Sequence, residues 1–253
     1  MTTVPHSTKI HLYHPDRLLP GLDRFVLSNT FLDKELNKSR TPRIQKMIRL
    51  YHLDVGNPGF CDSKEEMPFL QMPRLVFPER TWHFDKVRNH LGPKDAADFW
   101  CDDRSIQKFV RNPDKYLPVL IACPCVFSFD LSSYQEFPLP LVRYNVFQNR
   151  LYAQEMQKAG VNVIPTIQWR DRKSFDFCFL GIPKGSPVAF NAIGPDGRSI
   201  PLQLWAEGVT EALRQIEPPV VFIHGEPMNF NFGSVEVHYL ENQEIRRMRN
   251  NGR

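Results

Sequence analysis

The chain has 253 residues, 42% of them hydrophobic and 12% aromatic, with a formal net charge of +4. This composition excludes a disordered chain, and a charge this small does not by itself demand a nucleic-acid partner. No run approaches the roughly 18 apolar residues of a membrane span, and the N-terminus lacks the apolar core of a secretory signal, so a cytoplasmic protein without a membrane partner is expected.

In chain order, the first part is rich in proline and poor in periodicity, as in "HPDRLLPG" and "MPFLQMPRLVFPER". It reads as irregular with a few helices. One helix is expected over 41–53, where Thr41 caps and Pro42 suits the first turn. Another is expected in "DDRSIQKFVRNPDKY", capped by Asp102 or Asp103 and stopped at "NPD". After about residue 115 strands and helices alternate. "VLIACPCVFSF" (119–129) is an apolar run of the kind a strand covered on both faces shows. The segment 139–160 has a helical apolar face of Leu139, Val142, Val146, Leu151 and Met156, with Gly160 as its stop. Strands are expected at 161–169, 186–194 and 220–226, a short turn or helix at 175–179, and a helix at 203–218.

This order predicts an α/β fold of parallel βαβ units. A barrel-like or incomplete (β/α) barrel is favoured over an open doubly wound sheet. The expected division is an irregular extension at 1–80, an α/β core at 81–240 and a basic tail at 241–253.

Ligands of parallel sheets bind beyond the carboxyl ends of the strands. That rule selects Asp130, Asp171, His224 and Glu226 as candidate catalytic groups: Asp130 and Glu226 as an acid/base pair, Asp171 as a third carboxylate, and His224 as a general base or metal ligand. Asp130 and Glu226 form a candidate metal pair, with Mg²⁺ the ion such a carboxylate pair would suit. Each has a structural alternative: an Asx-turn for Asp130, an ion pair for Glu226, a buried neutral imidazole for His224. Trp169 with Arg170 would suit a base and a phosphate, or else a core indole beside a solvated cation. Lys184 in "GIPKGS" and Arg198 in "GPDGRS" are candidate phosphate contacts in what otherwise read as structural turns. The basic stretch 34–49 is a candidate nucleic-acid face or a solvated helix. The cysteines make no CxxC pair. Cys123, Cys125 and Cys178 read as buried and apolar rather than metal-binding or reactive.

The motifs "RNPDKY", "FSFDLSSY", "PLPLVRYNVFQNR", "GVNVIPTIQW", "FDFCFLGIPKGSPVA" and "VVFIHGE" follow one another at short intervals. Over roughly residues 80–240 they resemble domain-of-unknown-function family 4417, which implies a bacterial, phage or mobile-element setting. Members of that family often read Cys-Phe-Asp-Gly where this chain has Cys178-Phe179-Leu180-Gly181, so an Asp acting there in relatives is either missing here or was never catalytic. Three functions follow as expectations. The first is a metal-assisted enzyme of nucleotides or nucleic acid. The second is a non-catalytic nucleic-acid-binding accessory protein. The third is a protein-interaction factor of host takeover or defence.

Overall fold

The computed structural model describes residues 46–47, 64–90, 92–192, 201–225, 227 and 229–240. The expected helix at 41–53 lies outside them except for Lys46 and Met47, which are helical. The basic stretch 34–49 likewise falls almost wholly outside, as do Arg198 and the tail.

Eight short strands are present among the described residues, all parallel to their neighbours: β1 (Arg80–His83), β2 (Asp95–Phe99), β3 (Val126–Phe129), β4 (Val163–Ile164), β5 (Thr166–Ile167), β6 (Val188–Asn191), β7 (Val220–His224) and β8 (Glu236–Leu240). They pair in strict chain order as two four-stranded sheets, β1-β2-β3-β4 and β5-β6-β7-β8. The strand order follows the chain without reversal in each sheet. Among the described residues β1 and β8 are not paired with each other, so the sheets are open.

The expected strand at 161–169 is interrupted. Pro165 has no N–H for the ladder, so it separates β4 from β5. Ser128 of β3 joins the two sheets there. Its Oγ accepts from Thr166 N at 2.8 Å, and its carbonyl accepts from Thr166 Oγ1 at 3.0 Å.

Five α-helices lie among the described residues: α1 (Asp103–Arg111), α2 (Pro113–Ile121), α3 (Leu139–Lys158), α4 (Phe175–Cys178) and α5 (Leu202–Ile216). Asp102 caps α1, its carboxylate accepting from Arg104 N at 2.9 Å. Residues 119–121, expected to begin a strand, instead end α2, because Pro113 at the first turn restarts a helix directly after "RN". The strand therefore begins only at Val126. None of these helices is long and apolar enough to cross a membrane.

Side chains divide by strand face. Outward residues such as Ala97, Val126 and Phe129 pack with α1, α2 and part of α3. Ile167, Val188, Phe190, Val221 and Ile223 pack with α4, α5 and the start of α3. Inward residues form a third core, from Ala96, Trp100, Phe127, Ile164, Ala189, Val220, Phe222 and Leu240. This interior draws on both sheets, and the rings of Phe127 and Phe222 meet across it at 5.4 Å. The two sheets thus curl toward each other around an apolar, aromatic centre.

The segment from Met67 to Phe77, which leads into β1, is bound along α3 by side-chain amides. Gln154 donates to Phe69 O, while Gln157 and Asn162 each pair with both the N–H and the C=O of one residue, Gln71 and Arg74 respectively. Phe77 then packs on the rings of Phe222 and His238. Gly181 follows the same logic: its φ is +77°, and a Cβ there would lie 2.3 Å from Pro68 O. The "GIPKGS" turn is accordingly built by close backbone approach.

Candidate functional site

At the carboxyl ends of the strands the inward face turns from apolar to polar. In register, His83 of β1 lies beside Asp98 of β2, and Asn191 of β6 lies beside His224 of β7. Asp130, one residue beyond β3, completes the layer.

The placement of Asp130 depends on an irregularity in β3. Between two paired positions β2 spends one residue (Ala97 to Phe99) where β3 spends two (Val126 to Phe129). Val126 and Phe129 therefore both face the helices, and Asp130 faces inward. Such a bulge re-aims the side chain that follows it. Across the interior, Asn191 Nδ2 donates to Asp130 Oδ2 at 2.7 Å. Burial outweighs that bond and lifts the Asp130 carboxyl to about 6, with the nearby Asp103 carboxylate pushing the same way.

Asp98 is fully buried. Its carboxylate accepts from His83 Nδ1 at 2.9 Å and from Trp100 N at 3.3 Å. A carboxylate on Nδ1 orients the imidazole and makes Nε2 its basic nitrogen. His224 is 2% exposed, and neither of its ring nitrogens has a hydrogen-bond partner among the described residues. Burial depresses it to about 4, against the opposing pull of Asp98, so it is neutral at pH 7. The indole Nε1 of Trp100, which stacks on His224, is also buried without a partner among the described residues. Cys101 lies within the field of Asp98, Asp85 and Asp130, and burial with those carboxylates holds its thiol up at about 12.

The other candidates go elsewhere. Asp171 caps the short turn Arg172–Ser174, accepting from Lys173 N, and binds the Arg170 guanidinium at 2.6 Å. Arg170 also donates to Phe137 O. Trp169 is a core residue: its indole donates to Leu204 O and lies against Gly208 of α5. Neither side chain offers the stacking face or the solvated cation that the sequence allows. Lys184 pairs with Glu217 before β6 begins, at the amino ends of the strands. Glu226 lies outside the described residues. Among those residues no group of three or more His, Cys, Asp or Glu is placed to hold a metal. The thiols of Cys123, Cys125 and Cys178 are all raised by burial, in keeping with inert core cysteines.

Four residues of the layer escape the sequence reading: His83, Asp98, Trp100 and Asn191. The period-two alternation of "TWH" and "ADFW" is a usable signal for the first three. It is masked because "DAADF" carries an Asp at each register end and no β-branched residue.

Fold and site together define a parallel α/β protein of two open four-stranded sheets, with a polar layer of two carboxylates, two imidazoles and an amide at its carboxyl mouth. By sequence the chain belongs to the family "Domain of unknown function (DUF4417)", matched over residues 61–241. It is similar to the Gene 1 protein of Mycobacterium phage D29, at 28% identity over 166 residues, which is 64% of this chain and 61% of that protein. It is also similar to the Gene 1 protein of Mycobacterium phage L5, at 27% identity over 146 residues, 57% of this chain and 64% of that one. The chain thus covers less than two thirds of either relative's length. No solved structure matches it.

Proposed function

We propose that this phage-type protein is an enzyme that works by proton transfer at the carboxyl mouth of its curved sheet. One observation carries the reading. Asp98, Asp130, Asn191 and His224 come from four different strand ends, and one of them, Asp130, titrates near 6. A general acid or base is most effective when its pKa lies near the working pH. In this scheme Asp130 gives or takes the proton and Asn191 positions it. Asp98 orients His83, and neutral His224 hydrogen-bonds the substrate. The acid–base version needs only residues placed here. The Mg²⁺-assisted version, on nucleotides or nucleic acid, also needs Glu226 beside Asp130.

The test is a ligand panel read by thermal shift and turnover, with Asp130→Asn and His224→Phe alongside. Ligands that stabilise the wild type and lose that effect in both variants support the site. Ligand effects indifferent to both substitutions refute it.

A second reading, as a protein-interaction factor, has its own observation. Phe69, Met72, Leu75 and Phe77 are each more than 40% exposed along one bound segment, and exposed apolar clusters mark interaction surfaces. Replacing all four with Ser would abolish capture of a partner if that reading holds, and would leave turnover at the mouth untouched.

A further inference from the structure

Asp130 stands one residue beyond β3, where the strand has ended. A group that transfers a proton must still be held to within about 0.5 Å of its working position. We infer that Asp103, in the first turn of α1, is a positioning residue for Asp130, fixing through Ser132 the backbone that carries it. This role rests on the proposed site, and it is exerted through another residue rather than on a substrate.

Leu131 and Ser132, the two residues after Asp130, have four main-chain polar groups, and a side chain from another part of the chain holds each. Leu131 N–H donates to Asn149 Oδ1 at 3.4 Å, and Leu131 O accepts from Gln168 Nε2 at 3.0 Å. Ser132 N–H donates to Asp103 Oδ1 at 3.1 Å, and Ser132 O accepts from Asn145 Nδ2 at 2.7 Å. Loops ordinarily run over the surface, where water can satisfy such groups. Here α1, α3 and the residue after β5 supply all four partners, so the backbone is fixed from three sides. The Leu131 side chain packs into the core on the helix side, and alternation then leaves Asp130 facing inward.

Asp103 stands apart among the four partners because it is the ionisable one and binds most extensively. Its Oδ1 accepts from Ser132 N–H and from Ser132 Oγ, each at 3.1 Å, and its Oδ2 lies 3.3 Å from the same N–H. Hydrogen bonds to a carboxylate are roughly twice as strong as those between neutral groups. α1 does not need this carboxylate as a cap, because Asp102 caps the helix and Arg104 binds Asp102 in turn. Burial raises the Asp103 carboxyl, and the bonds from Ser132 work against that, so they favour its ionised form.

The hold at Ser132 reaches the mouth in two residues. Asn191 Nδ2 donates to Asp130 Oδ2 across the interior at 2.7 Å, a bond that a displaced Asp130 backbone would lengthen. The Asp103 carboxylate is also near enough for its charge to act on Asp130.

The experiment uses the full chain without ligand, at one pH, and reads hydrogen exchange at the Ser132 amide and the NMR signals of the Asn191 side-chain amide. Asp103→Ala should speed Ser132 exchange by about tenfold or more. It should also move the Asn191 signals toward the positions they take in Asp130→Ala. Asp103→Asn keeps an oxygen for Ser132 N–H and should return exchange to within about threefold of the wild type. If the alanine variant does not fold, Asp103→Asn and Ser132→Ala carry the test, each expected to move the Asn191 signals the same way by less. Asp102→Ala is the control: it removes the cap of α1 and should leave the Asn191 signals in place. Asn191 signals that stay put in every folded Asp103 and Ser132 variant, or that Asp102→Ala moves as far, overturn the inference. No readout here needs a ligand, so the proposed activity can fail separately. Loss of the Asn191 positions in Asp103→Ala, with ligand effects indifferent to Asp130→Asn, would refute that activity and leave Asp103 as the residue that holds Asp130.

Discussion

The imidazole of His224 lies flat against the indole of Trp100, ring centroids 4.2 Å apart and planes 12° from parallel. The two belong to β7 and to the end of β2, in different sheets. Their contact shows that the sheets close around a common interior, and it buries both polar edges.

Two groups of this layer oppose each other as the pH falls. Asp130 has a folded pKa near 6, above the usual carboxylate value, so it adds stability at low pH that is lost as the pH rises through 6. His224 has a folded pKa near 4, below the usual imidazole value, so it adds stability at neutral pH that is lost as the pH falls from about 6.5 toward 4. Each effect is on the order of 2–3 kcal/mol, and between pH 4 and 6.5 they largely cancel. Denaturant titrations at pH 4.5 and 7 should therefore show Asp130→Asn losing more stability on acidification than the wild type. His224→Phe should show the opposite difference. Parallel pH profiles for all three proteins would contradict both shifts.

Gly208 sits inside α5, where alanine ordinarily stabilises by up to about 1 kcal/mol. Here a Cβ would fall 2.0 Å from the Trp169 ring, which is buried and cannot withdraw. Overpacking of that kind costs about 1–3 kcal/mol and decides the sign. Gly208→Ala should lower the melting temperature by several degrees. The same change should cost much less in a Trp169→Leu background, a non-additivity that identifies the contact.

Arg150 is the largest fully buried side chain, at 1% exposure. Its guanidinium donates to Cys178 O at 2.7 Å, Leu180 O at 3.1 Å and Thr166 O at 3.5 Å, tying α3 to α4 and β5. Arg150→Met leaves those carbonyls unpaired and should cost about 3 kcal/mol or more in chemical denaturation. Arg150→Lys should recover little, because an ammonium cannot reproduce the planar fork. A lysine variant as stable as the wild type would show that charge alone suffices.

The segment before β1 depends on the amides of α3 and its C-terminal turn. Gln157→Ala and Asn162→Ala each remove two bonds to its backbone. At about 1 kcal/mol per bond, local opening should become roughly tenfold or more easier. Trypsin cleavage at the exposed Arg74 would report it. Cleavage no faster than in the wild type would mean that Leu70 and Phe77 hold the segment unaided.

The legible parts of the fold are those with strong local signals. α3 has its periodic face and Gly160, whose φ of +94° only glycine accepts readily. β6 and β7 are apolar runs with clear turns on both sides. β1, β2 and β8 are short, carry charged or small residues, and are strands only because neighbours supply their ladders. At the mouth, Asp130 and His224 are visible because they terminate apolar runs. Asp98 and Asn191 emerge only from tertiary register, and the roles of Asp171 and Trp169 in a cap and a core depend on partners distant in sequence.

The extra residue in β3 has one more consequence. Inward and outward positions alternate along a strand, so facing is a matter of parity, and the bulge shifts that parity once, between Val126 and Phe129. Deleting Ser128 would remove the bulge and the joint with Thr166 together, and would leave a regular strand in which Val126 and Phe129 still face the helices and Asp130 still faces the mouth. Flattening the bulge with every residue kept would instead turn Asp130 toward the helices and send Phe129 to the mouth. The extra residue and the kink that absorbs it are thus a matched pair, and the facing of Asp130 depends on their staying together.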